Sequence, residues 1–176
     1  MKLSPVSLAG AFVIDLERIE DDRGFFARSF CAEDFRKAGL DPAVAQCNVS
    51  FNARRGTLRG LHFQAAPREE AKLVRCTRGA IFDAIVDLRA DSPTRRKWFG
   101  AELSAANRRA LYVPKGFAHG FQTLVDDSEV LYMMSEFHDP GLARGVAWND
   151  PAFAIEWPIS NPFISERDRG YAPYGD

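Results

Sequence analysis

Ala80-Ile81-Phe82-Asp83-Ala84-Ile85-Val86-Asp87-Leu88 is apolar on both faces of an extended chain except at its two aspartates. That pattern predicts a central β-strand packed on two sides. Working outward, short apolar runs rich in Val, Ile, Phe and Tyr recur on either side, with Gly, Pro, Asp or Asn between them. They predict strands at 11–16, 25–30, 44–52, 57–64, 72–77, 80–88, 97–103, 110–113, 120–125, 129–137 and 153–157. Many short strands with turn residues between them are the signature of an all-β sandwich or barrel. Only 32–38, closed by Gly39, and a turn near Ala105-Ala106-Asn107 read as helical. There is no linker, repeat or low-complexity segment, so residues 1–176 are expected to form a single domain.

The bulk numbers narrow the function classes. A chain of 176 residues buries roughly 70% of its unfolded surface, so stability requires no metal or disulfide. Lys and Arg number 23 against 24 Asp and Glu, a net charge of −1. No global field draws this protein to nucleic acid or to a membrane surface, and any anion site must be local. The three cysteines, Cys31, Cys47 and Cys76, are odd in number and lack metal-ligand spacing, as reduced thiols serving as small hydrophobes do. With no run of 18 apolar residues, a soluble cytoplasmic protein is expected.

Two segments carry candidate chemistry. In Gly56-Thr57-Leu58-Arg59-Gly60-Leu61-His62-Phe63-Gln64 an arginine stands three residues before one of only three histidines. Arg suits a phosphate through its planar fork of donors, and neutral His suits proton abstraction near pH 7. Residues three apart on a strand start on opposite faces, so a shared pocket requires a bend or bulge at Gly60. The second segment, Val113-Pro114-Lys115-Gly116-Phe117-Ala118-His119-Gly120-Phe121, is a Pro-x-Gly-x-x-His turn entering a strand. It resembles the second half-motif of the cupin barrels, whose histidine faces the interior. Metal-holding cupins usually add a His-x-His pair and a carboxylate from the first half-motif. Here that place reads His62-Phe63-Gln64, with Glu69 and Glu70 beyond. The neutral amide of Gln64 counts against a transition metal, although two histidines and a glutamate would still make a facial triad.

An ordered set extends these segments over nearly the whole chain. It comprises Asp22-Arg23-Gly24-Phe25-Phe26, Gln46-Cys47-Asn48, Leu58-Arg59-Gly60-Leu61-His62-Phe63-Gln64, Ala71-Lys72-Leu73-Val74-Arg75, Pro114-Lys115-Gly116-Phe117-Ala118-His119-Gly120-Phe121, Leu131-Tyr132, Arg144-Gly145-Val146-Ala147-Trp148-Asn149-Asp150-Pro151 and Ser165-Glu166-Arg167-Asp168. Together these resemble the dTDP-4-dehydrorhamnose 3,5-epimerase family. The resemblance implies a cupin-like double-stranded β-helix, or jelly-roll barrel, with short helices and no metal or cofactor. It also implies a homodimer that exchanges N-terminal strands, and a nucleotide-linked 4-keto-6-deoxy sugar as substrate, inverted at C3, C5 or both.

Inverting a carbon beside a ketone means removing a weakly acidic proton from one face and returning one to the other, so a base and an acid must flank the ring. By resemblance His62 is the base, Asp168 its carboxylate partner and Tyr132 the acid. Lys72 stands near the sugar's C4 oxygen, where a cation stabilises the developing oxyanion. Substrate binding carries over onto Arg23, Phe26, Arg28, Gln46, Asn48, Arg59, His119, His138 and Arg167, with Arg23 entering the neighbouring subunit's site. The chain departs from the family pattern at His138, where a tyrosine stacks on thymine, at Arg28 and Ala143, where many members have Glu, and at Met133, a frequent Lys. These departures fall at base-recognition positions and point to a changed nucleotide or sugar. Three other readings stay open: a related sugar-nucleotide 3,4-ketoisomerase, a metal-dependent cupin oxygenase using His62, His119 and Glu69 or Glu70, and a non-catalytic sugar-nucleotide binding module.

Overall fold

A computed structural model describes residues 1–175; Asp176, the last residue of the expected domain, lies outside them. One sheet has the order β1-β2-β10-β7-β12-β5, made of β1 (Lys2–Pro5), β2 (Phe12–Asp15), β10 (Ala110–Val113), β7 (Lys72–Arg78), β12 (Ser128–Met134) and β5 (Gln46–Asn52). The second has the order β13-β6-β11-β8-β9, made of β13 (Ala143–Gly145), β6 (Thr57–Gln64), β11 (Phe117–Thr123), β8 (Ala80–Asp87) and β9 (Trp98–Ser104). A separate hairpin pairs β3 (Ile19–Asp21) with β4 (Gly24–Phe26). The fold is the all-β, cupin-like barrel expected from the sequence.

Side chains alternate across each strand, so the inward set of both sheets meets in one core. Val74 and Cys76 from β7, Val130 from β12 and Leu111 from β10 pack against Ile81 and Ile85 from β8, Phe121 from β11 and Leu103 from β9. Strand β8 sits between β11 and β9, and all its residues from Asp83 to Asp87 are buried. Its aspartates are therefore the informative residues, because a carboxylate kept from water needs partners. Asp87 has them in Arg89, Ser92 and Thr94. Asp83, four residues earlier on the same strand face, has His119, whose Nε2 lies 2.7 Å away.

Two expected strands do not form as read. Residues 153–157 are a turn and coil rather than a strand. Phe153 and Ala154 N–H both donate to the Asp150 carbonyl, and the Asp150 carboxylate accepts from Ala152 N–H. This local capping takes the backbone groups that a ladder would have used. The run at 25–30 is extended only to Phe26, and its continuation leads to α1 (Ala32–Lys37), whose one buried side chain is Phe35. Three further strands, β1, β3 and β13, are three or four residues long and, unlike the equally short β10, carry no apolar run to mark them. The same holds for the two-residue strand β14 (Phe163–Ile164) and the four-residue helix α2 (Glu166–Arg169).

Candidate active site

The site begins with a bulge in β6. His62 pairs with His119 and Arg59 with Phe121, so Gly60 and Leu61 on β6 oppose Gly120 alone on β11. One extra residue on β6 shifts the side-chain phase and brings Arg59 and His62 to the same cavity. Glycine is required there. Gly60 has φ +134°, and a Cβ on it would lie 2.6 Å from the Gly120 Cα and 3.0 Å from the His119 carbonyl oxygen.

The tail completes the dyad. Strand β14 runs parallel to the start of β6, with Phe163 opposite Thr57 and Ile164 opposite Leu58, and this delivers α2 beside the bulge. Ser165 caps α2 by accepting from the Asp168 N–H at 3.1 Å. The buried Asp168 carboxylate then accepts from His62 Nε2 at 2.8 Å and from the bulge's own Gly60 N–H at 3.2 Å. Burial pushes the Asp168 carboxyl up, but the bond and charge of His62, the Gly60 N–H and nearby Arg167 outweigh it and hold the group below its ordinary value. The Tyr171 ring stands edge-on to His62 with centroids 5.9 Å apart.

The opposite wall comes from the other sheet. Tyr132 on β12 and Lys72 on β7 line the same cavity of about 480 Å³ as His62, Arg59 and His119. The Tyr132 ring packs edge-on against His119 at 6.0 Å and beside Phe121 at 6.4 Å. Burial, with the Asp83 charge behind His119, pushes its phenol well above the ordinary value despite Arg59 and the Ser50 hydroxyl. It therefore stays protonated across the working range of pH. His119 is itself buried, with Nε2 2.7 Å from Asp83 Oδ1. Lys72 Nζ lies 3.1 Å from Glu70 Oε1, both side chains almost wholly buried. Arg59 donates from Nε to Asn52 Oδ1 at 2.7 Å and lines the cavity together with Asn48.

The remaining expected residues divide. Gln46 does not line this cavity; its Oε1 accepts from the His138 N–H at 2.9 Å. His138 and Arg167 line a smaller cavity of about 210 Å³ on the far side of His62, together with Glu70 and Arg144. Arg167 there donates from Nε to the Tyr171 hydroxyl. Arg23, Phe26 and Arg28 are exposed and line neither cavity. Arg23 is paired with Asp21 across the β3–β4 turn.

The donor set of the metal reading is not assembled. Gln64 is buried and fully occupied, its Nε2 donating to the Arg68 and Phe137 carbonyls and its Oε1 accepting from the Asp139 N–H. The two histidines are each engaged to a different aspartate. Among the described residues no group of three His, Cys, Asp and Glu side chains is placed to hold a metal ion.

Asp83, Ser50 and Tyr171 are the parts of the site that sequence reasoning missed, and Glu70, read there as a possible metal ligand, instead pairs with Lys72. Only Asp83 carried a readable signal, as an acid inside an otherwise apolar strand.

An imidazole of β6 backed by a carboxylate of α2, facing a protonated phenol from the other sheet, makes a candidate acid–base site inside a jelly-roll barrel. The family model for dTDP-4-dehydrorhamnose 3,5-epimerase matches residues 5–176, and the chain belongs to this family. It is 44% identical over 169 residues to the dTDP-4-dehydrorhamnose 3,5-epimerase of Sinorhizobium fredii, covering 96% of this chain and 87% of that one. It is 40% identical over 170 residues to a dTDP-4-dehydrorhamnose 3-epimerase of Streptomyces niveus, covering 96% and 82%. Among solved structures, the Bacillus anthracis 3,5-epimerase with TDP and pyrophosphate bound superposes with a TM-score of 0.94 at 43% identity, over 98% of this chain and 99% of that one.

Proposed function

We propose that this chain inverts the carbons flanking the ketone of a dTDP-linked 4-keto-6-deoxy sugar, at C3, C5 or both, in deoxysugar biosynthesis. One observation carries the reading. His62, backed by Asp168, and Tyr132 project from opposing sheets into one cavity. With Nε2–H donating to Asp168, the imidazole lone pair sits on Nδ1, and the carboxylate stabilises the imidazolium formed when Nδ1 takes the C–H proton. Lys72 stabilises the charge that collects on the C4 oxygen, and Tyr132 returns a proton from the other face. His119, fixed by Asp83, and the Arg59–Asn52 pair bind the sugar and diphosphate, joined by Asn48, Gln46 and, across His62, His138 and Arg167. No cofactor is needed, since the C–H bond is acidified by the substrate's own ketone.

The working form is a homodimer that exchanges N-terminal strands, acting in the cytoplasm. Arg23, Phe26 and Arg28 lie outside their own chain's cavity, so they serve only by reaching the partner's. The hairpin that bears the first two exposes Ile19 (69%) and Phe26 (73%), and the edge strand β5 exposes Val49 (61%) and Phe51 (50%). Apolar surface of that kind on a sheet edge is what a second copy covers.

Incubation of the purified protein with dTDP-4-keto-6-deoxyglucose, followed by proton NMR, tests the reaction. A C3- or C5-inverted 4-ketone supports it; a ketone moved to C3 makes the chain a 3,4-ketoisomerase, and substrate that is bound yet neither exchanged nor inverted makes it a binding module. Titration with dTDP, UDP, GDP and CDP tests the nucleotide, where thymidine preference by a wide margin shows that His138 has not changed base recognition.

A further inference from the structure

We propose that Glu70 is a positioning residue, holding the Lys72 ammonium where the sugar's C4 oxygen binds. The inference rests on the role given to Lys72 above. Lysine is a flexible four-carbon stem that ends in a point charge, and nothing in the stem fixes where that charge stands. At Lys72 the fixing is external. Its Nζ lies 3.1 Å from Glu70 Oε1, with 7% and 8% of the two side chains exposed.

The pair is also exclusive. The other Glu70 oxygen is buried with no hydrogen-bond partner, and the cations that share its cavity are engaged elsewhere. Arg144 donates to the Gly141 and Ala143 carbonyls, and Arg167 to the Tyr171 hydroxyl. A buried carboxylate with one unused oxygen is an unfavourable arrangement for stability alone, because both ions lose hydration and the geometry leaves a lone pair unsatisfied. Its position explains it. Glu70 lines the smaller cavity and Lys72 the larger one, with His62 between them. Glu70 thus grips the ammonium from behind, using one of its three N–H donors and leaving two for the cavity. The oxyanion meets a donor already in place, which is the condition under which such a donor lowers a barrier.

The test is a cycle of variants read by kcat, KM, dTDP affinity and thermal unfolding. E70A is expected to lower kcat about 10- to 100-fold, the range for a reacting group displaced by about 1 Å, with KM and dTDP affinity unchanged. E70Q keeps the shape and an acceptor oxygen for Nζ, and is expected to recover most of the loss. In a K72M background, E70Q and E70A are expected to cause no further loss of kcat. The proposal is overturned if E70A keeps full kcat, if E70Q is as impaired as E70A, if kcat and dTDP affinity fall together with the melting temperature, or if the E70A loss persists undiminished in K72M. Full activity of K72M itself would instead remove the role of Lys72.

Discussion

Replacing Asp168 by Asn changes one charge in a nearly isosteric side chain, and the structure sets the size of the effect. The carboxylate oxygen is 2.8 Å from His62 Nε2, which places the charge centres of carboxylate and imidazolium about 4 Å apart, worth about 4 kcal/mol at an effective dielectric constant near 20. The His62 side chain is 39% exposed, and solvent screening reduces that to about 2 kcal/mol. Because the imidazolium exists only after proton transfer, the loss falls on the transition state, about 30-fold in kcat. This is a lower bound. An amide that turns its NH2 toward Nε2 stabilises the tautomer with the proton on Nδ1, which takes away the base altogether. The expected result for D168N is kcat down 30-fold or more by NMR progress curves, with dTDP affinity retained. A folded D168N with kcat within threefold of the parent would refute the dyad.

Tyr132→Phe is expected to keep proton exchange between substrate and heavy water while losing inverted product, because removal of the C–H proton does not need the phenol; loss of both reactions would place the phenol in the first step. Since burial and Asp83 keep that phenol protonated, Tyr132 should add no alkaline limb to the kcat profile below pH 10, and inversion that fails below pH 10 while solvent exchange persists would contradict this. Asp87 is buried, yet the bonds from Arg89, Ser92 and Thr94 outweigh burial and hold its carboxyl at about 2 against an ordinary 3.8, a difference worth roughly 2 kcal/mol. A lowered folded-state value stabilises the fold above pH ~3.8 and is lost as pH falls through about 2, so urea unfolding should find D87N weaker at neutral pH and the gap narrowing below about pH 4. A gap independent of pH would contradict that assignment. Gly60→Ala forces a Cβ to within 2.6 Å of the Gly120 Cα at φ +134°, and is expected to cost about 3 kcal/mol in thermal unfolding; an unchanged melting temperature would mean that the bulge tolerates a side chain.

The long strands were legible because each carries enough alternating or continuous apolar residues to show its period, and β8 was legible even as a doubly packed strand. Of the short strands, β2 and β10 were read as apolar runs, whereas β1, β3, β13 and β14 were not. Strand β14 and helix α2 owe their existence to what they dock against, the start of β6 and the Gly60 N–H, and that tertiary cause leaves no local pattern. The Gly60 bulge was legible as a requirement, since Arg59 and His62 cannot otherwise share a face. What stayed hidden was the layer behind the reacting groups. Asp83 lies 36 residues from His119 in sequence and Asp168 lies 106 from His62. Only the family resemblance paired the second couple, and nothing paired the first. Glu70 stood in the sequence as a metal-ligand candidate, whereas the fold turns it to Lys72.

The most direct test follows deuterium from heavy water into C3 and C5 of dTDP-4-keto-6-deoxyglucose, by mass spectrometry, for the native chain and for His62→Asn. Incorporation by the native chain is expected, with no metal added, and a fall to the uncatalysed rate in a folded H62N. Incorporation by H62N at the native rate would show that another group removes the proton, and the role assigned to His62 would be wrong.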